Sequence, residues 1–332
     1  MLIPKPLAAD SHIRIISPGM PTIALVPDRT RRAERALRNL GFEISYGAHA
    51  LSVSDDGTTA GAAADRAADV MEAFGDESVD AILASDSGLG SRELLPLLDA
   101  AVIAANPKPF IGFCDTNFLH QYLASYAGIS SLYGCIFTLH FGEVGGPYPE
   151  TLEYFKSALM SPEQLICRPL PSRTADVIDW FDPESEGQLR GRDIPGGWTW
   201  VRPGYARGQL LGGEISTIPA IVNCFDLRLD GTVLFWHVAI HNEQPLRTQL
   251  EALSACADLS NLAGMIVGAH PRLAPDQWAQ VVDSMMQELL PGTSFPILTN
   301  ADLGHLCPSW IVPYGEDVVL DDSKGIIFPR AT

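Results

Sequence analysis

The chain has 332 residues, 46% of them hydrophobic and 19% charged, with a formal net charge of −18. That length and apolar content suit a folded protein of two domains and exclude a disordered chain. The acid excess argues against nucleic acid and anionic membrane as partners, and no apolar run approaches the ~20 residues that cross a bilayer.

The first residues, M-L-I-P-K-P-L-A-A-D-S-H-I-R, lack the uninterrupted apolar stretch of a secretory signal. A soluble, cytoplasmic protein is therefore expected. The six cysteines (Cys114, Cys135, Cys167, Cys224, Cys256 and Cys307) are scattered, with no C-x-x-C pair. In a cytosolic chain that pattern predicts free thiols and argues against a zinc ribbon or finger.

Taken in chain order, H-I-R-I-I-S-P (12–18) reads as a β-branched strand stopped by Pro-Gly. R-T-R-R-A-E-R-A-L-R-N-L-G (29–41) has helical spacing with a glycine stop, and F-E-I-S-Y-G follows as a strand. Residues 65–75 are helical, 79–85 a buried strand, 91–102 helical despite Pro96, 109–113 a strand, and 116–128 a helix stopped by glycine. This β-α alternation implies a parallel sheet with helices on its faces and ligands at the carboxyl ends of its strands.

The composition changes over 161–205, where P-L-P-S-R, D-W-F-D-P-E-S-E-G and R-D-I-P-G-G-W-T-W punctuate the chain; this reads as a linker with short strands. A second domain is expected over 206–332. G-Q-L-L-G-G-E-I-S-T reads as a tight glycine turn, 231–240 as a buried strand, 245–259 as a helix, 262–269 as a strand, 275–290 as a helix and 295–300 as a strand. The fold class is thus α/β: a Rossmann-like parallel-sheet domain over 1–160, then a C-terminal mixed α/β domain.

Three stretches could carry chemistry. In K-P-F-I-G-F-C-D-T-N-F-L-H (108–120), Cys114 falls on a strand–helix turn. Such a turn exposes a nucleophile, and the helix that follows offers N–H groups and a positive dipole end that favour a thiolate and an oxyanion. The bland alternative is a small buried side chain, a common fate of free cysteine. S-D-S-G-L-G-S (85–91) is a short glycine loop between strand and helix. It could present backbone N–H groups to an anion or carbonyl oxygen, or be a plain turn, and it lacks both G-x-G-x-x-G and a Walker lysine.

The third is the histidines. His305 lies in D-L-G-H-L-C-P and His237 in the strand L-F-W-H-V-A. A histidine inside a buried strand needs a partner, which favours a role. His12, His49, His120, His140, His241 and His270 carry no comparable context; His120 follows Cys114 by six residues, off its helix face.

Together these segments resemble the LD-carboxypeptidase family of serine peptidases, which includes the microcin C self-immunity carboxypeptidases. The resemblance runs through I-R-I-I-S-P-G-M-P (13–21), A-I-L-A-S-D-S-G-L-G-S-R-E-L-L-P-L-L-D (81–99), P-F-I-G-F-C-D (109–115), P-G-Y-A-R-G-Q-L-L-G-G-E-I-S (203–216), G-T-V-L-F-W-H (231–237) and L-G-H-L-C-P-S-W-I-V-P-Y-G (303–315). It implies an N-terminal α/β domain, a C-terminal domain, a site between them, a homodimer and no cofactor or metal. It also implies a Ser-His-Glu triad that cleaves amide bonds beside a carboxylate terminus.

Carried over by position, the nucleophile becomes Cys114, the base His305, and the third member His237 where the family has Glu. The oxyanion donors become the N–H groups of Asp115 and of the Ser87–Gly88 turn. Asp86 and Ser87 stand where the family's loop has Arg and Gly, and Glu214 stands where it has Asn. A thiolate forms with help from an imidazole alone, so Cys in place of Ser and His in place of Glu are compatible changes. The leading expectation is a cysteine-nucleophile acyl-transfer enzyme acting on a small peptide-like, amide or thioester substrate. The alternatives are a Cys114/His237/His305 metal site and a non-catalytic relative that binds a small ligand.

Overall fold

The computed structural model describes residues 1–161, 163–176, 178–239 and 244–329. Ile240, which ends the expected strand 231–240, and His241 lie outside the described residues. The chain divides into two compact units. The first is Met1–Ser161, Asp176–Gly191 and Ile311–Tyr314; the second is Pro162–Ala175, Arg192–Trp310 and Gly315–Thr332. The stretch 161–205 is therefore shared between them. No helix among the described residues is long and apolar enough to cross a membrane.

The first unit is built on five strands in chain order: β1 (His12–Ile16), β2 (Glu43–Tyr46), β3 (Ala81–Ala84), β4 (Phe110–Gly112) and β5 (Ser131–Tyr133). They lie parallel in the order β5-β4-β3-β1-β2, and Val312–Tyr314 closes the β5 edge antiparallel. β3 and β4 are buried along their whole length, as a parallel sheet covered on both faces requires. Helix Pro27–Asn39 starts with proline at its first turn and packs Ala33 and Leu37; helix Ala63–Gly75 packs Val70, Ala73 and Phe74.

The helix expected over 91–102 is two pieces: a 3₁₀ segment, Ser91–Leu97, and a helix, Ala100–Ala105. Pro96 has no N–H to continue an α ladder. Asp99 starts the second piece as its N-cap, accepting the N–H groups of Ala101 and Val102.

The second unit contains β6 (Leu165–Cys167), a two-residue ribbon of β7 (Ser172–Arg173) and β8 (Ile194–Pro195), then β9 (Thr199–Arg202), β10 (Tyr205–Glu214), β11 (Val233–His237), β12 (Gly264–Gly268) and β13 (Ile297–Ala301). After β14, the Val312–Tyr314 strand already placed on the first sheet, come β15 (Asp317–Asp321) and β16 (Gly325–Phe328). The eight-stranded sheet runs β6-β16-β15-β10-β11-β12-β13-β9; β10 to β13 are parallel and the rest antiparallel, a mixed sheet.

Of the stretch read as a tight glycine turn, only 215–217 is a turn, and most of it, 208–214, instead belongs to β10, ten residues long. Its glycines serve close packing rather than reversal. A Cβ on Gly212 would stand 1.7 Å from the Phe235 carbonyl oxygen of β11.

Candidate active site

In the first unit, the chain leaves β4 through an extended Phe113, then turns at Cys114 with φ +60. A 3₁₀ turn, Cys114–Thr116, leads into helix Asn117–Tyr122. Among the described residues only Asp226 and Asn300 are other non-glycines with a left-handed backbone. Asp and Asn tolerate that region; cysteine does not, and holding it there costs roughly 1–3 kcal/mol. The Cys114 side chain is half-buried.

The residue after it, Asp115, is 5% exposed. Its carboxylate accepts the Ser91 N–H at 2.8 Å, and the Ser91 hydroxyl donates to the Asp115 carbonyl at 2.5 Å. These two bonds clip the cysteine turn to the glycine loop 85–91. Burial pushes the Asp115 carboxyl up, against the pull of the Ser91 bonds and Arg66.

Asp86 turns inward. The residue is 9% exposed, and its carboxylate accepts the Thr22 hydroxyl and the Ser87 N–H, the latter at 2.8 Å. Burial pushes its carboxyl up as well. Ser87's N–H is thus committed to shaping the loop, and Gly88 follows it with a left-handed backbone at φ +80. Arg66, 2% exposed, braces the loop from behind, giving Nη1 to the carbonyls of Pro18 at 2.5 Å and Gly90 at 2.9 Å. Sequence reasoning missed both Ser91 and Arg66.

In the second unit, His237 is the last residue of β11 and is fully buried. Its ring meets that of His305 edge-on, with centroids 5.2 Å apart. Burial first, and the His305 charge second, hold the His237 imidazole well below the usual histidine range, so it is neutral. Gly304 makes the contact sterically feasible: at φ +113, a Cβ there would stand 2.8 Å from the His237 Cβ. Glu214, at the end of β10, is the parallel-register neighbour of His237. Its carboxylate folds onto the next turn, accepting the Ser216 N–H at 2.9 Å and the Ser216 hydroxyl.

The His305 loop is anchored by residues that the sequence did not single out. Arg173, fully buried, pairs through Nε with Asp302. Its Nη2 donates to the carbonyls of Asn300 at 2.6 Å and Gly197 at 2.9 Å. Asp302 also accepts the Leu170 N–H at 3.0 Å. Thr174 and Cys307 exchange backbone bonds of 2.7 and 3.2 Å, and the Trp310 N–H reaches the Asp302 carbonyl at 2.7 Å. Asp302 and Arg173 are 129 positions apart, so no local pattern announces the pair.

His120 is a core residue. Its Nδ1 lies 2.7 Å from the Ser131 hydroxyl, its ring packs on Phe110 and Tyr133, and burial pushes its imidazole down to about 3. Among the described residues, no group of three or more His, Cys, Asp and Glu side chains could hold a metal ion.

Residues 13–134 match the model of the LD-carboxypeptidase N-terminal domain, and residues 207–320 that of the LD-carboxypeptidase C-terminal domain. The chain is 25% identical over 331 residues to the microcin C7 self-immunity protein MccF of Escherichia coli, spanning 98% of this chain and 95% of that one. A Vibrio cholerae protein named as a carboxypeptidase is 25% identical over 97% of this chain and 95% of its own. A Bacillus subtilis protein named as a murein peptide carboxypeptidase is 24% identical over 97% and 92%. Among solved structures, an MccF-like protein from Bacillus anthracis superposes with a TM-score of 0.89 at 24% identity, covering both chains completely. MccF in complex with glutamyl sulfamoyl guanosine superposes at 0.87 with 21% identity, over 100% of this chain and 99% of that one.

Proposed function

The chain belongs to the LD-carboxypeptidase family, and on that premise we propose that it is an amide hydrolase working through a thioester on Cys114. The observation that carries this reading is the left-handed backbone at Cys114, a strained cysteine at a strand–helix turn beside a clipped glycine loop.

In the proposed cycle, Cys114 Sγ bonds to the substrate carbonyl carbon as its proton passes to His305. The N–H groups of Asp115 and Gly88 meet the oxyanion. The carbon–nitrogen bond then breaks, and His305 returns the proton to the departing nitrogen. Water adds to the thioester, giving a proton to His305; the carbon–sulfur bond breaks, Sγ is reprotonated, and a carboxylic acid leaves. An amine in place of water would make the reaction a transfer. His237, neutral and buried, orients the His305 ring.

MccF is seen with aspartyl sulfamoyl adenosine and with glutamyl sulfamoyl guanosine, and the Bacillus relative is named for murein peptides. We therefore assign a small peptide-like amide as the substrate class, taken by a homodimer without a cofactor. The test is a panel of aminoacyl sulfamoyl nucleosides and murein tetrapeptides, given to the parent and to Cys114→Ala. The parent is expected to release amine and to show an acyl adduct on Cys114 after acid quench, and the variant neither. Full turnover by Cys114→Ala would overturn the reading; tight binding by the parent with no turnover and no adduct would replace it with the non-catalytic relative.

A further inference from the structure

The Cys114 N–H opens a helix, where backbone donors lack intrahelical partners. It donates to the phenol oxygen of Tyr133 at 3.2 Å. Tyr133 is the last residue of β5, and the parallel register sets it beside Gly112, the last residue of β4. Its side chain thus starts level with the end of the nucleophile's strand and reaches forward to the turn.

That oxygen is held in place. Tyr133 is 0% exposed, and its ring packs on Phe113 at 5.5 Å, His120 at 5.4 Å and Tyr314 at 6.4 Å between centroids. The Gly134 N–H bonds the Gly112 carbonyl at 3.0 Å, which locks the backbone on which Tyr133 sits.

The torsion φ of Cys114 describes rotation between its N–H and its carbonyl side. Tyr133 pins the first, and the Ser91 clip on Asp115 pins the second. A strained torsion persists only where its surroundings over-determine it. We propose that Tyr133 is a positioning residue of the nucleophile: its phenol oxygen holds the Cys114 N–H, and with it the left-handed turn that aims the thiol at the carbonyl carbon and the Asp115 N–H at the oxygen on that carbon. The inference rests on the reading of Cys114 as nucleophile.

The experiment compares Tyr133→Phe, which keeps the ring, with the parent and Cys114→Ala. p-Nitrophenyl acetate serves as acyl donor and iodoacetamide as a reagent that needs no oxyanion donors. In Tyr133→Phe, acetylation of Cys114 is expected to slow by about tenfold, with KM and the alkylation rate each within about twofold of the parent. Unchanged acetylation would overturn the inference. So would equal loss of acetylation and alkylation, the mark of general loosening. Esterase activity retained in Cys114→Ala would instead sink the nucleophile reading itself. Amide hydrogen exchange at Cys114 gives an answer independent of the variant's folding: strong protection in the parent is expected, and exchange as fast as in an exposed loop would overturn the inference.

Discussion

The His237 ring stands edge-on to the His305 ring, with centroids 5.2 Å apart and planes inclined by 64°. Burial first and the neighbouring His305 second oppose a proton on His237. Replacing His237 by Glu would put a carboxylate where a neutral ring now stands. A carboxylate draws a proton onto the neighbouring imidazole, so the base stays protonated to higher pH and the active form appears later as pH rises. The acid limb of kcat/KM in His237→Glu is expected to move up by about one pH unit. A pH–rate profile checks this; an unmoved limb would argue that His237 does not act on His305.

His120 makes a prediction about stability. Its imidazole is pushed down to about 3 by burial, against about 6.5 for an unfolded chain. Between those values the unfolded state binds a proton that the folded state does not. Stability is therefore lost as pH falls through that window and is unaffected by this group above it. The loss has a limiting slope of about 1.4 kcal/mol per pH unit. His237, lowered for the same main reason, adds a second proton of the same sign. In His120→Gln, urea midpoints measured from pH 7 to pH 4 should fall less steeply, by up to one proton's worth of slope. An unchanged slope would show that His120 titrates normally in the folded protein.

The third prediction concerns the support of the His305 loop. Asp302→Ala leaves the fully buried Arg173 guanidinium without its carboxylate, a change that costs about 3–5 kcal/mol. Arg173→Met combined with Asp302→Ala removes the stranded charge and should cost less than the sum of the two single changes. Urea denaturation of the four proteins measures this coupling, and simple additivity would deny that the two residues act as a pair.

Much of the first sheet could be read from single segments. I-I in β1, A-I-L-A in β3 and F-I-G in β4 are continuous apolar runs because both faces of a parallel sheet are covered. The strand–helix turn at Cys114 was legible for the same reason: an apolar run stops and helical spacing begins. What the sequence hid was of two kinds. The Leu spacing over 91–102 suggests one helix, yet Pro96 and the Asp99 cap divide it, so a local pattern lost to backbone chemistry. The glycines of β10 suggested a turn because the nearby Phe235 carbonyl that requires Gly212 belongs to another strand.

The candidate site divides in the same way. Cys114, His237 and His305 stood out by residue type and local context. Tyr133, Ser91, Arg66 and Arg173 did not, because each acts on a residue far from it in sequence, and nothing in its own neighbourhood announces that partner. Conversely, Asp86 stood out only because it takes the place of the family's Arg, and its burial against Thr22 is a tertiary fact.

The path of the chain between its two units bears on how the protein is made. The unit that carries Cys114 receives Asp176–Gly191 and Ile311–Tyr314 only after the chain has entered the other unit. During synthesis, the sheet that carries Cys114 stays one strand short, its β5 edge uncovered, until residues 312–314 have emerged. A gene truncated after the last residue of β5 would thus encode Cys114 and Tyr133 on an unfinished sheet. Each unit is thus encoded by segments that alternate along the gene rather than by one uninterrupted block.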